Sequence, residues 1–359
     1  MMKTIVLTII LGVGIVQCLP QQTLTPLEAA KSSIRWLGAL PPDEFYSARF
    51  LDIREDKGLL ITRNAILASR DGGLNWDKVA HVHAPEALNG IVGAWLSSSN
   101  ELYLLSDSKS LDTQGIGFQV TLIPTQKGSQ SSMDIDGDTK AGTIIAVGGE
   151  SVPVTKDRFV GLPHYAQGSD ANSPSMTVPI ISISKDKART WHSSRFKNAM
   201  GYLDGIRIFG ANAIAWGPYE IFVSSDRGLS WHKVNTDIPD GEEDAYPVSA
   251  TIVGNNTYVS TKSGRLLKGS VVSASLLTVS HIPSPLTNLT FVNERIGFGV
   301  LPSDQPKEKR EESQLMKTEN GGRTWAPILK TRRIVALSAS EQKLCGAGYD
   351  RVFCFSLSE

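Results

Sequence analysis

Ser224-Ser225-Asp226-Arg227-Gly228-Leu229-Ser230-Trp231 is the stretch whose reading decides the fold. It has the make-up of a tight corner between two strands. The aspartate accepts backbone N–H groups a few residues on, as in an Asx-turn. The glycine takes a left-handed backbone conformation that a side chain would strain. The serine hydroxyl adds a local bond to the backbone. The tryptophan folds back under the turn, buries a large apolar area and keeps an N–H for an acceptor.

The octet recurs as Ser69-Arg70-Asp71-Gly72-Gly73-Leu74-Asn75-Trp76, Ser184-Lys185-Asp186-Lys187-Ala188-Arg189-Thr190-Trp191 and Thr318-Glu319-Asn320-Gly321-Gly322-Arg323-Thr324-Trp325. The shared pattern, Ser/Thr-x-Asp-x-Gly-x-x-Trp, takes up four of the seven tryptophans. Two copies depart from it. Ala188 replaces glycine, and alanine at positive φ costs about 1 kcal/mol, so that corner is expected to adopt another shape. Asn320 replaces aspartate and can keep the same bonding.

The pattern resembles the Asp box, or BNR repeat, of sialidases, xyloglucanases, sortilin-type receptors and the photosystem II stability/assembly factor family. That resemblance implies an all-β propeller with the box between the third and fourth strands of a blade, on the face opposite the active site. Asp71, Asp186 and Asp226 are therefore expected to be structural. The spacing agrees: Trp191 and Trp231 lie one blade apart, near the roughly 40-residue period of such arrays. Blades are expected at 46–81, 91–125, 141–195, 201–235, 246–281, 286–329 and 331–359, which makes seven, with a six-bladed ring as the alternative. In the fifth, strand-like runs cover Ser249–Val253, Thr257–Thr261, Gly264–Gly269 and Leu276–Val279. The last blade has room for three strands, and the run around Ser33-Ile34-Arg35-Trp36-Leu37 is expected to supply its outer strand and close the ring. Closure removes exposed sheet edges.

The N-terminus reads Met1-Met2-Lys3 and then an apolar run from Thr4 to Val16. One positive charge before a short apolar stretch is a secretory signal pattern, too short to span a bilayer comfortably. Residues 1–18 are read as a signal peptide and 19–359 as a single propeller. A membrane anchor is the alternative. A lipoprotein reading of Cys18 meets Gln17, where such signals want Gly or Ala. The chain carries 36 basic and 36 acidic residues, so it has no global electrostatic reason to bind nucleic acid or anionic membrane. Cys345 and Cys354 flank an expected hairpin turning at Tyr349-Asp350. Directly opposed Cβ atoms lie about 4.5–5.5 Å apart, near disulfide reach, and an exported chain favours the pair. Asn255-Asn256-Thr257 and Asn288-Leu289-Thr290 are glycosylation sequons for a eukaryotic secretory pathway.

Function is expected opposite the boxes, in loops 124–140, 164–177, 235–247 and 302–313. Asp237, Asp240, Glu242, Glu243 and Asp244 make a solvated acidic loop or a cation site. Lys307, Glu308, Lys309, Arg310, Glu311 and Glu312 mark an exposed loop of mixed charge. Asp134, Asp136 and Asp138 alternate as in a calcium loop, although Thr139 stands where an EF-hand needs glycine; no other cofactor is expected. His81, His83, His164 and Tyr165 show no convergence of the kind a metal site needs.

Two function classes stay open. One is a non-catalytic binding or assembly propeller for a protein or glycan ligand. The other is a glycoside hydrolase, sialidase-like or with two carboxylates about 5–10 Å apart. A sialidase would carry Phe/Tyr-Arg-Ile-Pro before the first box; Arg49-Phe50 and Ile53-Arg54 do not match it.

Overall fold

The structure is a computed structural model describing residues 35–39, 48–54, 57–62, 65–81, 91–97, 99–106, 119–127, 130–138, 142–153, 175–196, 198–238, 246–302, 312–340, 342–348 and 351–357. Every element among the described residues is a strand, and among those residues no helix is long and apolar enough to cross a membrane. The strands form seven separate sheets.

Blade 1 runs outward through Phe50–Arg54, Lys57–Ile61, Ala65–Ser69 and Asp77–His81, all antiparallel. Blade 4 (Gly205–Phe209, Asn212–Trp216, Ile221–Ser224, His232–Lys233) and blade 6 (Thr287–Phe291, Gly297–Pro302, Glu312–Thr318, Ala326–Arg332) repeat that order. Blade 5 holds Pro247–Val253, Asn256–Thr261, Arg265–Ser270 and Ser275–His281, with Asn235–Thr236 added in parallel outside. Its four main strands overlap the four runs read from the sequence. Blade 7 has Ala336–Ala339, Lys343–Ala347 and Arg351–Ser356, and Arg35–Ala39 pairs antiparallel with the last of these. The chain's first described strand is thus hydrogen-bonded to its last, and the ring is closed.

Blade 2 lies within the expected 91–125 but with an unusual pairing, and blade 3 corrects its expected range of 141–195. In blade 2, Gly93–Leu96 and Glu101–Leu105 are followed by Gln119–Ile123, which pairs in parallel, so the described sheet has three strands. Blade 3 (Gln130–Asp138, Thr143–Pro153, Ser175–Ser184, His192–Arg195, with the short Gln126–Lys127 paired antiparallel to the first of these) begins inside the segment expected to be loop 124–140. Its inner strand is rich in serine and aspartate, and the sequence pattern hid it because polar residues are depleted in most strands.

Each blade is covered by a neighbour on both faces, so its second strand is apolar on both: Leu59, Leu60 and Ile61 in blade 1, and Ala213, Ile214 and Ala215 in blade 4, are buried. The buried apolar residues fall into seven clusters, one at each seam between consecutive blades. The seam between blades 7 and 1 joins Leu51, Ile53, Leu60, Leu67 and Trp76 to Ala336, Ala347, Val352 and the bonded pair Cys345–Cys354, with Leu37 of the closing strand against it. The two cysteines are direct cross-strand partners, 4.1 Å apart at Cα.

Candidate functional site

The four tryptophan corners share one geometry. Ser69, Ser184, Ser224 and Thr318 each donate a hydroxyl hydrogen bond to Asp71, Asp186, Asp226 or Asn320. The same hydroxyls accept from the backbone N–H of Gly73, Ala188, Gly228 and Gly322 at 2.8–2.9 Å. The acid or amide accepts the N–H of Asn75, Thr190, Ser230 or Thr324. The indoles of Trp76, Trp191, Trp231 and Trp325 donate to the carbonyls of Gly73, Ala188, Gly228 and Gly322. Each indole packs into the seam with the preceding blade.

Ala188 does not reshape its corner. It takes φ 63° beside Lys187 at φ 59°. A Cβ on Gly73, Gly228 or Gly322 would come within 2.8, 2.6 or 2.4 Å of Leu37, Ile145 or Leu266 respectively. Ala188 instead packs against the cluster of Trp95, Tyr103 and Ile135, so its methyl finds room at the seam with the three-stranded blade 2. Asn320 keeps the acceptor role and adds a donor bond to Thr324 at 2.8 Å.

Strand order sorts the ends of the molecule. The turns between first and second strands lie on the face with the corners. The turns between second and third strands, and the blade-to-blade crossovers, lie on the other. On that crossover face the structure assembles a row of aromatic side chains that the sequence reading missed. Tyr202 lies in the crossover to blade 4, Tyr219 in the turn Gly217–Glu220, and Tyr246 just before Pro247 of blade 5. Tyr202 is 41% and Tyr219 45% exposed. The Tyr219 ring lies on Gly201, where a Cβ would stand 2.6 Å from Cδ2, and Gly217 fits under the Tyr202 carbonyl, where a Cβ would stand 1.9 Å from it. Tyr219 and Tyr246 meet edge to face at 5.3 Å, and the Lys262 ammonium stands 5.9 Å from the Tyr246 ring centre. The residues carry a faint signal: each tyrosine sits in a connection, beside a glycine or proline that lets backbone and ring approach closely.

Two of the three acids read as a calcium loop, Asp134 and Asp136, serve the ring. Asp134, Asp136 and Asp138 lie on a strand, not in a loop, and an extended backbone spaces alternate side chains along one side rather than round a cation. Asp134 accepts the N–H of Ile206 and the guanidinium of Arg207, each at 3.2 Å, while Asp136 accepts the N–H of Ile208 at 2.7 Å. The innermost strand of blade 4 is a sheet edge, and these carboxylates satisfy its outward N–H groups. Ser249 does the same for Leu289 between blades 5 and 6. Among the described residues no three His, Cys, Asp or Glu side chains converge. His83, His164, Tyr165, Asp240, Glu242, Glu243, Asp244 and 307–311 lie outside the described residues, as do the signal segment 1–18 and the side chain of His81. Asp237 accepts from the backbone and hydroxyl of Thr278, and Glu312 pairs with Lys330 at 2.7 Å.

No family model matches the chain, and no curated protein matches it. Solved structures do match. YCF48 bound to D1 peptide aligns at TM-score 0.55 and 12% identity, covering 91% of this chain and 97% of that one. The WD40 β-propeller domain of Doa1 aligns at TM-score 0.56 and 11% identity, over 90% and 97%. U3-55K aligns at TM-score 0.55 and 8% identity, over 91% and 99%. The likeness is one of fold. This propeller keeps its tryptophan corners on one face and its exposed tyrosines on the other.

The carboxylates divide by environment. Hydrogen bonds from Asn75, and then Ser69, hold Asp71 down at about 2, and those from Thr190 do the same for Asp186. Burial pushes Asp136 up to about 6; burial, and after it the charge of Asp134, pushes Asp204 up to about 6. The ordinary value for all four is 3.8. From pH 6 down to about 4, folded Asp136 and Asp204 take up protons before the unfolded chain does, so stability rises as pH falls. Below about 4 the unfolded chain protonates first at Asp71 and Asp186, so stability falls toward pH 2. Urea midpoints measured from pH 7 to 2 should therefore peak near pH 4. Asp71→Asn with Asp186→Asn should flatten the acid side of the peak, and Asp204→Asn should flatten the other. A curve unchanged by these substitutions would refute the assignment.

Proposed function

We propose that the chain is an exported, non-catalytic binding propeller of the Asp-box type, and that it captures an extended protein segment on its crossover face. The observation that carries this reading is the row Tyr202, Tyr219 and Tyr246: the first two are exposed and packed on Gly217 and Gly201, and the third is half-buried and meets Tyr219 edge to face. Tyrosine offers a large, rigid, amphipathic contact at low cost in side-chain entropy. Extended and proline-containing segments dock in aromatic-lined grooves, where phenol hydroxyls meet unpaired backbone carbonyls. The peptide present with YCF48, a propeller of like fold, supports a segment as the ligand. The Asp-box corners then act as structural pins, and the ligand meets the face they leave open.

The test is selection from a phage-displayed library of linear peptides, with a glycan array and sialoside and glucan reporter substrates in parallel. Enriched peptides should bind the wild-type chain and lose about tenfold or more in affinity with Tyr219→Ala, the scale of an interface hot spot, while the unfolding midpoint confirms a folded variant. Peptide binding indifferent to substitution of all three tyrosines would refute the site. Turnover of a reporter abolished by Asp204→Asn would establish the hydrolase class in its place.

A further inference from the structure

The two Asn-x-Thr sequons lie in sharply different places. Asn255 occupies the tip of the hairpin that joins Pro247–Val253 to Asn256–Thr261, on the corner face. It follows Gly254 at φ 58° and is exposed. Its Oδ1 accepts a hydrogen bond from Asn212 Nδ2 at 2.9 Å, and that same amide also donates to the Gly254 carbonyl. The side-chain carbonyl is thereby oriented, while the amide nitrogen, the atom that takes a glycan, is turned to the opposite side of the same planar group. A glycan on that nitrogen leaves the Asn212 bond intact.

Asn288 lies inside Thr287–Phe291, the innermost strand of blade 6. It takes φ 49° at a break in the strand's register. Asn288 is half-buried, and its neighbour Leu289 is buried and is bonded through its N–H to Ser249 of blade 5. The strand packs against the innermost strands of blades 5 and 7. A branched sugar attached there during synthesis would have to be accommodated within the inner ring as the blades close.

We infer that Asn255 is the N-glycosylation site of the folded, exported chain and that Asn288, although it has the same motif, is carried bare. The glycan then projects from the corner face, opposite the tyrosine row, and leaves that row open. The inference rests on the export reading and not on what the crossover face binds. The test expresses the full chain in a eukaryotic secretory cell line, once from its own N-terminus and once with residues 1–18 replaced by an established secretory leader. Endoglycosidase digestion and peptide mass mapping of the secreted protein read the result. One glycan-sized mobility shift is expected, kept in Asn288→Gln and lost in Asn255→Gln. Asn255→Asp, which keeps the acceptor for Asn212, should also lose it, and it separates loss of the site from loss of the hairpin bond. Secreted protein with Asn255 bare behind both leaders, or with a glycan at Asn288, overturns the inference. A glycan at Asn255 only behind the added leader upholds the site and refutes export by residues 1–18.

Discussion

Trp76→Ala is expected to remove about 3–5 kcal/mol of unfolding free energy, the range for truncating a large aromatic in a packed core. Three things are lost at once. The indole is 9% exposed and fills the seam between blades 7 and 1. Its ring covers Gly58, where a Cβ would stand 2.8 Å from Cη2, so truncation opens a void beside that strand. Its N–H satisfies the Gly73 carbonyl at 3.0 Å, which is left without that donor. The damage falls where the ring closes, because Leu37 of the closing strand packs on the same cluster. Urea unfolding followed by far-ultraviolet circular dichroism gives the magnitude. Amide exchange across Arg35–Ala39 should quicken in the same variant as the closing strand loosens. Trp76→Phe keeps most of the apolar contact and should lose far less. A loss below about 1 kcal/mol for the alanine variant would mean that the corner tryptophans do not anchor the seams, contrary to what is expected for a buried aromatic.

Gly264→Ala should lose a comparable amount, about 2–5 kcal/mol, from a residue with no side chain. Gly264 has φ +79°, which alanine adopts at a cost of about 1–2 kcal/mol. A Cβ there would lie 2.0 Å from the Ile282 carbonyl oxygen and 3.1 Å from its carbon. Those are backbone atoms on the way to blade 6 and cannot swing aside as a side chain would, so crowding adds about 1–3 kcal/mol. The Ile282 N–H also donates to the Gly264 carbonyl at 2.8 Å, so moving one strand breaks the link to the next blade. Gly142→Ala is the control. Its φ is +64°, but a Cβ there meets nothing within 4 Å, so only the backbone term applies. Equal unfolding midpoints for the two variants would refute the crowding argument.

The corners were legible in the sequence because every contact they make is local. Ser224, Asp226, Gly228 and Trp231 bond within one octet, and side-chain-to-backbone bonds at such short separation depend on residue order alone. The pairing of Cys345 with Cys354 was legible for the same reason, since a hairpin sets its own register. The inner strand Gln130–Asp138 was not. Asp134 and Asp136 are explained by N–H groups more than seventy residues away on blade 4, and nothing near them in sequence announces a sheet edge in need of acceptors. Ala188 shows the complementary error. The local rule counts only the cost of positive φ, which Ala188 nevertheless adopts where it packs at the seam with blade 2.

Residue order, read with the resemblance of its octets to the Asp box, led to an all-β ring of seven blades, with six as the alternative, pinned by tryptophan corners and closed near its ends; a repeated local hairpin buries its apolar faces against further copies of itself. Tertiary structure alone decided which connections meet. Tyr202, Tyr219 and Tyr246 belong to three separate connections and become one surface only when crossovers from adjacent blades are brought side by side. Asn255 and Asn288 share the Asn-x-Thr motif, yet one stands at a hairpin tip and the other on the innermost strand of blade 6. The physical reason is the same in each case: ring closure sets distances between residues far apart in the chain, and such distances leave no periodic trace in the sequence.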